Sequence, residues 1–149
     1  EWNQELKFNF KKEPLEKYTL KVLSGAMKDY LEHENDSLTF VLETKNISEY
    51  GNLTVNLQNV EKFPVIVELT NTKGDIIASH YSESTTKIDF FLLEPNLFTL
   101  RVIYDDNKNR EWDSGNFLEK KQAEKVIYFP KEIDIRANWE VDQTFNLKP

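Results

Sequence analysis

Short segments in which apolar and polar residues alternate recur along this chain, and they constrain its fold more than any other feature. Residues 53–58 (LTVNLQ) alternate strictly, and residues 97–104 (LFTLRVIY) form the most apolar segment, which we expect at the centre of a sheet. A period of two residues places the apolar side chains on one face of a β-strand. About ten such segments, spaced by roughly 8–15 residues and without a long amphipathic helix between them, predict an all-β protein. We expect an antiparallel β-sandwich with only short helical turns.

A domain boundary is predicted near residues 45–50. The region before it holds three predicted strands, the first at residues 6–10, and a polar loop, which is too little for a stable domain alone. The region after it holds about seven predicted strands across ~100 residues, the usual size of a β-sandwich. We therefore assign residues 48–149 to a sandwich domain. Residues 1–47 are either the tail of an upstream domain or strands added to the sandwich.

Charge, hydropathy and cysteine content exclude several classes of protein. The 26 acidic and 19 basic residues among 149 give a formal net charge of -7, without a basic block. Such a chain lacks the positive footprint of a nucleic-acid-binding protein. No apolar run approaches the ~20 residues of a transmembrane helix. Cysteine is absent, which excludes disulfides, thiolate metal sites and a cysteine nucleophile. We expect no nucleic-acid partner and no membrane span in this chain.

The sharpest chemical feature is a polar excursion at residues 105–116 (DDNKNREWDSGN), here called the acidic loop. Oxygen donors recur in it at every second position: Asp105, Asn107, Asn109, Glu111 through its backbone carbonyl, and Asp113. Ca²⁺ takes six to eight oxygen ligands, and an alternating loop can wrap such donors around one centre. The order resembles that of a calcium loop, so these five residues form a candidate Ca²⁺ site.

Two departures from a calcium loop leave a second interpretation open. Arg110 stands where such loops use glycine, so it must adopt a left-handed backbone at some cost. Asn116 stands where a bidentate glutamate is usual, so one strong ligand is missing unless Asp106 or Glu119 replaces it. The alternative is a turn in which Asn and Asp side chains bond the backbone. If a metal binds, we expect weak affinity and a structural role.

The three tryptophans bear on ligand binding. Trp112, next to the acidic loop donors, either plugs the end of the sandwich or presents a face on which a sugar stacks. We favour the plug. Trp139 lies among alternating residues and is expected in the core or in packing between strands, whereas the position of Trp2 is open. Exposure of Trp112 and Trp2 beside a groove would favour a ligand-binding module.

No catalytic constellation stands out. The two histidines, His33 and His80, are isolated in sequence, and serines flank only the second. The G-x-S-x-G turn that carries a nucleophilic serine in α/β-hydrolases is absent. Acidic pairs such as Asp105 and Asp106 arise easily among 26 acidic residues. We therefore expect that the protein is not an enzyme and carries no catalytic residues.

Three segments carry a family resemblance. Residues 97–115 (LFTLRVIYDDNKNREWDSG) resemble the strand and acidic loop of transthyretin-like, or prealbumin-like, sandwich domains, where the loop follows the pattern D-x-N-x-N-G-x-W-D. Residues 128–147 (YFPKEIDIRANWEVDQTFNL) resemble the C-terminus of bacterial Ig-like-domain lipoproteins of the Gram-negative cell envelope. Residues 18–44 (YTLKVLSGAMKDYLEHENDSLTFVLET) resemble the second half of an S-layer-type bacterial Ig-like domain, with residues 32–34 in place of its usual glycine.

The resemblance implies an exported, surface-anchored protein of several domains without established enzymatic activity. It implies a prealbumin-like sandwich at residues 48–149, the tail of an Ig-like domain at residues 1–47, and a lipid anchor upstream. On this basis we expect a non-catalytic module of a cell-surface protein, acting as a structural spacer or an interaction domain. The alternative is an accessory module that binds carbohydrate or protein, with assistance from Ca²⁺.

Overall fold

The structure, a computed structural model that describes Phe8 and residues 10–148, is all-β. Within these residues, the only helical element is a 3-10 turn at Ile47–Glu49, and no helix is long and apolar enough to cross a membrane. Ten strands follow one another along the chain: β1 Lys17–Val22, β2 Leu38–Glu43, β3 Gly51–Gln58, β4 Val65–Thr70, β5 Ile76–Ser82, β6 Lys87–Leu93, β7 Asn96–Tyr104, β8 Val126–Tyr128, β9 Ile133–Ile135 and β10 Glu140–Asn146. The all-β prediction is confirmed.

The chain divides into two compact units, Glu1–Ile47 and Ser48–Pro149. In the first unit, β1 and β2 form an antiparallel two-stranded sheet whose ends are marked by the pairs Lys17–Glu43 and Val22–Leu38. The strand predicted at residues 6–10 falls partly outside the described residues, and Phe8 and Phe10 lie in no strand. The relation of residues 1–47 to an upstream domain stays a prediction.

The second unit is a sandwich of two sheets. One has the strand order β10-β3-β6, and the other has the order β5-β4-β7-β8, with β9 also pairing with β7. All pairs are antiparallel except β10 with β3, which run parallel. The predicted sandwich is confirmed. The parallel pair was not anticipated, because strand direction depends on how the connections cross between sheets and leaves no mark in the alternation.

The interior of the second unit is filled by the inward side chains of both sheets. The alternation in β3 places Leu53, Val55 and Leu57 in the core, and their polar neighbours face outward. On the facing sheet, β4 and β7 contribute the corresponding inward residues. The whole cluster comprises Leu53, Val55, Leu57, Val65, Val67, Leu69, Ile88, Phe90, Leu93, Phe98, Leu100, Val102, Tyr104, Ile133, Ile135, Phe145 and Leu147. Burial of this apolar surface is the main stabilising contribution to the unit.

The outer face of the β4–β7 pair is also covered. Ile66 and Ile103 are directly opposite each other on this face, and both are buried although neither belongs to the interior cluster. Beside them, Arg101 donates from Nε to Glu68 at 2.7 Å. Burial opposes the charge of Arg101, but the hydrogen bonds that Arg101 makes to Tyr128 and Glu68 outweigh it and raise the pKa of Arg101. A strand that is buried on both faces needs such pairing for its charged residues.

Candidate functional site

The acidic loop begins where the central strand β7 ends and is closed at its base by backbone hydrogen bonds. Tyr104, the last residue of β7, donates its N–H to the carbonyl of Lys125 at 3.0 Å, just before β8 begins. Asp105 donates its N–H to the carbonyl of Pro64 at 3.3 Å, just before β4. The sheet therefore holds both ends of the connection between β7 and β8, which contains the acidic loop.

Asp105 is the buried centre of the loop, with only 1% of its surface exposed. Its Oδ1 accepts the backbone N–H groups of Lys108 at 2.7 Å and Asn109 at 3.2 Å, and its Oδ2 accepts that of Arg110 at 2.9 Å. Hydrogen bonds from backbone amides to a carboxylate are charge-assisted and stronger than those between neutral groups. The loop is wound around this carboxylate.

Asn107, Asn109 and Asp113 form a second polar cluster in the loop. The side-chain oxygens of Asn107 and Asn109 accept the backbone N–H groups two residues later, at 3.0 and 2.9 Å. Their side-chain amides both donate to Oδ2 of Asp113, the bond from Asn109 measuring 2.8 Å. These are the Asx-type turns expected from the alternative interpretation. The fold thus brings together three of the five candidate ligands through their side chains.

Glu124 ties the loop to its return segment, and the sequence reasoning missed it. It is buried, and its two carboxylate oxygens accept the backbone N–H groups of Asp106 at 2.8 Å and Asp113 at 3.1 Å. The N–H of Glu124 donates in turn to the carbonyl of Asp113 at 3.1 Å, and the indole of Trp112 donates to the carbonyl of Glu124 at 3.3 Å. Its sequence signal, one acidic residue just before a strand, is too common to mark a role.

Of the two residues proposed as replacement ligands, Asp106 has its carboxylate engaged elsewhere, and Glu119 contacts the loop through its backbone. The Asp106 carboxylate pairs with Lys62, and this hydrogen bond raises the pKa of Lys62. The backbone N–H of Glu119 donates to the side-chain oxygen of Asn116 at 3.3 Å, in a turn closed by pairing of Asn116 with Lys121. The stretch 119–125, although rich in helix formers, contains no helix.

Arg110 occupies the left-handed backbone conformation, with φ of +68°. A residue with a Cβ costs roughly 1–2 kcal/mol in this region. Its guanidinium lies 4.7 Å from the centroid of the Tyr81 ring, a cation–π contact that offsets part of this cost. Burial and the charges of Asp105 and Glu83 raise the pKa of Tyr81. The loop therefore contacts β5 as well as its own strands.

Whether the acidic loop can bind a metal ion depends on how the side-chain amides of Asn107 and Asn109 are oriented. In the described residues, no three His, Asp or Glu side chains are grouped so that they could hold a metal ion. A cation at this position would need Asn107 and Asn109 to present oxygen where their side-chain N–H groups now face Asp113. The set Asp105, Asn107, Asn109, Glu111 and Asp113 stays a prediction as a Ca²⁺ site.

The aromatic residues of this region are exposed to different extents. Trp112 is 50% exposed, so its ring is neither fully buried, as a plug of the sandwich would be, nor fully accessible to a ligand. The tip of the return segment presents Phe117, which is 95% exposed, and the nearly fully exposed Leu118. Trp139 is half-exposed just before β10, so it does not lie in the core, and packing between strands stays a prediction. Trp2 lies outside the described residues. Nothing in the alternation marked the tip as an apolar surface.

The two histidines lie in different units. His33 is in the first unit, where its Nδ1 lies 3.0 Å from Oδ2 of the exposed Asp29. The hydrogen bonds from His33 lower the pKa of Asp29. His80 lies in β5, opposite Val67 of β4. Neither contact forms a nucleophile–base pair.

Comparison with known proteins assigns no family to this chain, so its function is inferred from its own residues. No protein-family model matches the chain, and a search of curated proteins gives no match.

Proposed function

We propose that this chain is a non-catalytic β-sandwich module of an exported bacterial cell-surface protein, acting as a structural spacer or an interaction domain. The transthyretin-like and Ig-like resemblances support this setting, since both families use sandwich modules. They also favour the cell envelope of a Gram-negative bacterium, with a lipid anchor upstream, as the location.

The observation that carries the proposal is the use of the buried carboxylates. Asp105 and Glu124 direct their oxygens to five backbone N–H groups of the acidic loop: those of Lys108, Asn109, Arg110, Asp106 and Asp113. An ionised carboxylate has about four acceptor sites, so these two use more than half of their sites on the loop backbone. Both carboxylates fix the acidic loop at the end of the sandwich. A spacer that bears mechanical load, or a module that presents a surface to a partner, requires such a fixed loop.

The structural role is tested by Asp105→Asn. The amide replaces one oxygen by an NH₂ group, which cannot accept the N–H groups that Asp105 accepts on both oxygens. We expect a loss of about 2–3 kcal/mol in the free energy of unfolding, measured by urea denaturation without added ligand. Glu111→Gln is the matched control, because it removes the same charge from an exposed side chain of the loop. It should change stability by less than ~0.5 kcal/mol. Equal stability of Asp105→Asn and the parent would contradict the proposal.

The location is tested on intact cells of the source organism. Proteinase K added outside should digest the full-length protein, detected with an antibody against this module, while a cytoplasmic marker survives. Protection of the module until the envelope is broken would overturn the cell-surface assignment.

The alternative, a ligand-binding accessory module assisted by Ca²⁺, is favoured by the exposed apolar side chains beside the loop. Trp112, Phe117 and Leu118 are close in sequence and exposed. Such side chains can stack on a sugar or pack against a protein. A bound cation would stiffen the loop that carries them.

A thermal melt in EDTA and in ~5 mM Ca²⁺ separates the two functions. For a dissociation constant of about 0.1–1 mM, mass action predicts roughly 1–2 kcal/mol of stabilisation, a shift of a few °C. The shift should vanish in Asp113→Ala if the predicted ligands bind the ion. Glu132→Ala, which removes an exposed carboxylate outside the acidic loop, should keep it. An unchanged melt of the parent would remove the calcium-assisted alternative and leave the structural role.

A further inference from the structure

The end of the acidic loop and the residues that follow it form a hairpin, here called the tip hairpin (residues 113–124). At its base, Glu124 donates its N–H to the carbonyl of Asp113 at 3.1 Å. Farther along the hairpin, Asn116 and Lys121 each donate the backbone N–H to the carbonyl of the other, at 2.8 and 2.9 Å. The two arms of the hairpin are therefore bonded to each other both at the base and next to the tip.

A tight turn from Phe117 to Lys120 closes the tip hairpin. Lys120 donates its N–H to the carbonyl of Phe117 at 3.3 Å. The side-chain oxygen of Asn116 accepts the N–H groups of Leu118 at 3.0 Å and Glu119 at 3.3 Å. Phe117 and Leu118 are 95% and 91% exposed on this turn. Because hydrogen bonds already order the turn, its backbone loses little further entropy when the two apolar side chains are bound.

We propose that Phe117 and Leu118 insert into the surface of a phospholipid bilayer, with Lys120 and Lys121 at the level of the headgroups. The inference rests on the envelope location proposed above, because that location places the module beside a membrane. Apolar side chains that enter the interface leave water, while lysine keeps its ammonium group near the headgroup phosphates. The two lysines outnumber Glu119 in the turn, so its charge is positive although the net charge of the chain is -7.

The size and composition of the tip favour a bilayer over a protein or a sugar. A stable protein interface buries about 800 Å² on each partner, an area that two protruding side chains do not supply. A sugar site needs polar groups that orient the ligand, and the side-chain oxygen of Asn116 already accepts two N–H groups of the turn. Binding to a bilayer surface requires only apolar area and attraction between basic residues and anionic lipids.

Insertion is tested by co-sedimentation of the full chain with vesicles of phosphatidylcholine alone and of equal parts of phosphatidylcholine and phosphatidylglycerol. We expect the parent to bind both, and the double variant Phe117→Ser, Leu118→Ser to bind about tenfold more weakly or less. The matched control is Phe91→Ser, Leu92→Ser, which removes a second exposed Phe-Leu pair at the end of β6 and should leave binding unchanged. Thermal melts establish that each variant is folded.

The charge of the tip is tested on the vesicles with phosphatidylglycerol. Lys120→Gln with Lys121→Gln should weaken binding by about fivefold or more, and Glu119→Gln should strengthen it. Binding of the parent should fall as NaCl rises, because salt screens exposed charges. A parent that binds neither vesicle overturns the inference, and so does binding that Phe117→Ser, Leu118→Ser retains in full. Digestion of the module on intact cells would leave the proposed location standing in either case.

Discussion

β2 and β4 have the same balance of apolar and polar residues and opposite environments. Their sequences, LTFVLE and VIVELT, each contain four large apolar residues, one threonine and one glutamate. In β4 all six residues are buried, and Leu69 is 0% exposed. In β2 all six are exposed, and Val41 is 55% exposed. The difference teaches that the composition of a strand sets its tendency to be extended, whereas its neighbours decide its burial.

The neighbours differ in number and in layers. β4 lies between β5 and β7 in one sheet and packs its inner face against the β3 sheet. β2 has β1 as its single paired strand in the described residues. The glutamates follow the same division: Glu68 of β4 is buried against Arg101, and Glu43 of β2 pairs with Lys17 in the open. A two-stranded sheet is at best marginally stable by itself.

The largest effect that distinguishes the two strands is expected from paired leucine truncations. Leu69→Ala removes a fully buried side chain and should cost about 2–5 kcal/mol of unfolding free energy, because a cavity is left in the packed interior. Leu42→Ala, at a half-exposed site in β2, should cost less than ~1 kcal/mol. Urea denaturation of both variants measures the difference. Similar losses would show that β2 is buried against a surface in solution.

Amide hydrogen exchange should sharpen the contrast without any substitution. The amides of β4 open only with the whole sandwich, whereas those of β2 open with a small hairpin. We expect exchange in β4 at least ~100-fold slower than in β2, measured by NMR or mass spectrometry under native conditions. Equal protection would mean that the first unit opens together with the second.

The smallest effect concerns the exposed ion pair of the first unit. A hydrogen bond and the charge of Lys17 lower the pKa of Glu43 below its ordinary value of 4.5. A lowered pKa in the folded state gives stability that is present above the unfolded value and is lost as the pH falls through the folded value. An NMR titration should therefore place the Glu43 midpoint below 4.5, and Lys17→Ala should return it upward. A midpoint insensitive to Lys17→Ala would mean that the pair does not persist in solution, as is common for surface pairs.

Much of the strand pattern was predictable, because alternation records which side chains share a face. The segments at residues 53–58 and 97–104 correspond to β3 and to the central strand β7. Trp139 and the apolar tip at Phe117 were not predictable, because an apolar side chain in a turn lacks the period that marks burial. The parallel pairing of β10 with β3 joins residues about 90 positions apart in sequence, a distance that local patterns do not reach.

Some contacts of the acidic loop were likewise predictable from the sequence, and others were not. Its Asx turns follow from local sequence, since Asn107 and Asn109 bond backbone groups only two residues away. Glu124 does not follow, since it bonds residues 18 and 11 positions earlier. Whether these oxygens serve the backbone or a cation depends on side-chain orientation, which is decided by packing around the loop.

The sequence by itself determined the fold class, the extended segments and the location of the polar loop, because each depends on interactions between residues close along the chain. The tertiary structure alone decided which apolar strand is buried, which edge is left open and which carboxylate holds the loop. These depend on contacts between distant residues, whose free energy comes from surfaces that meet only when the sheets have assembled.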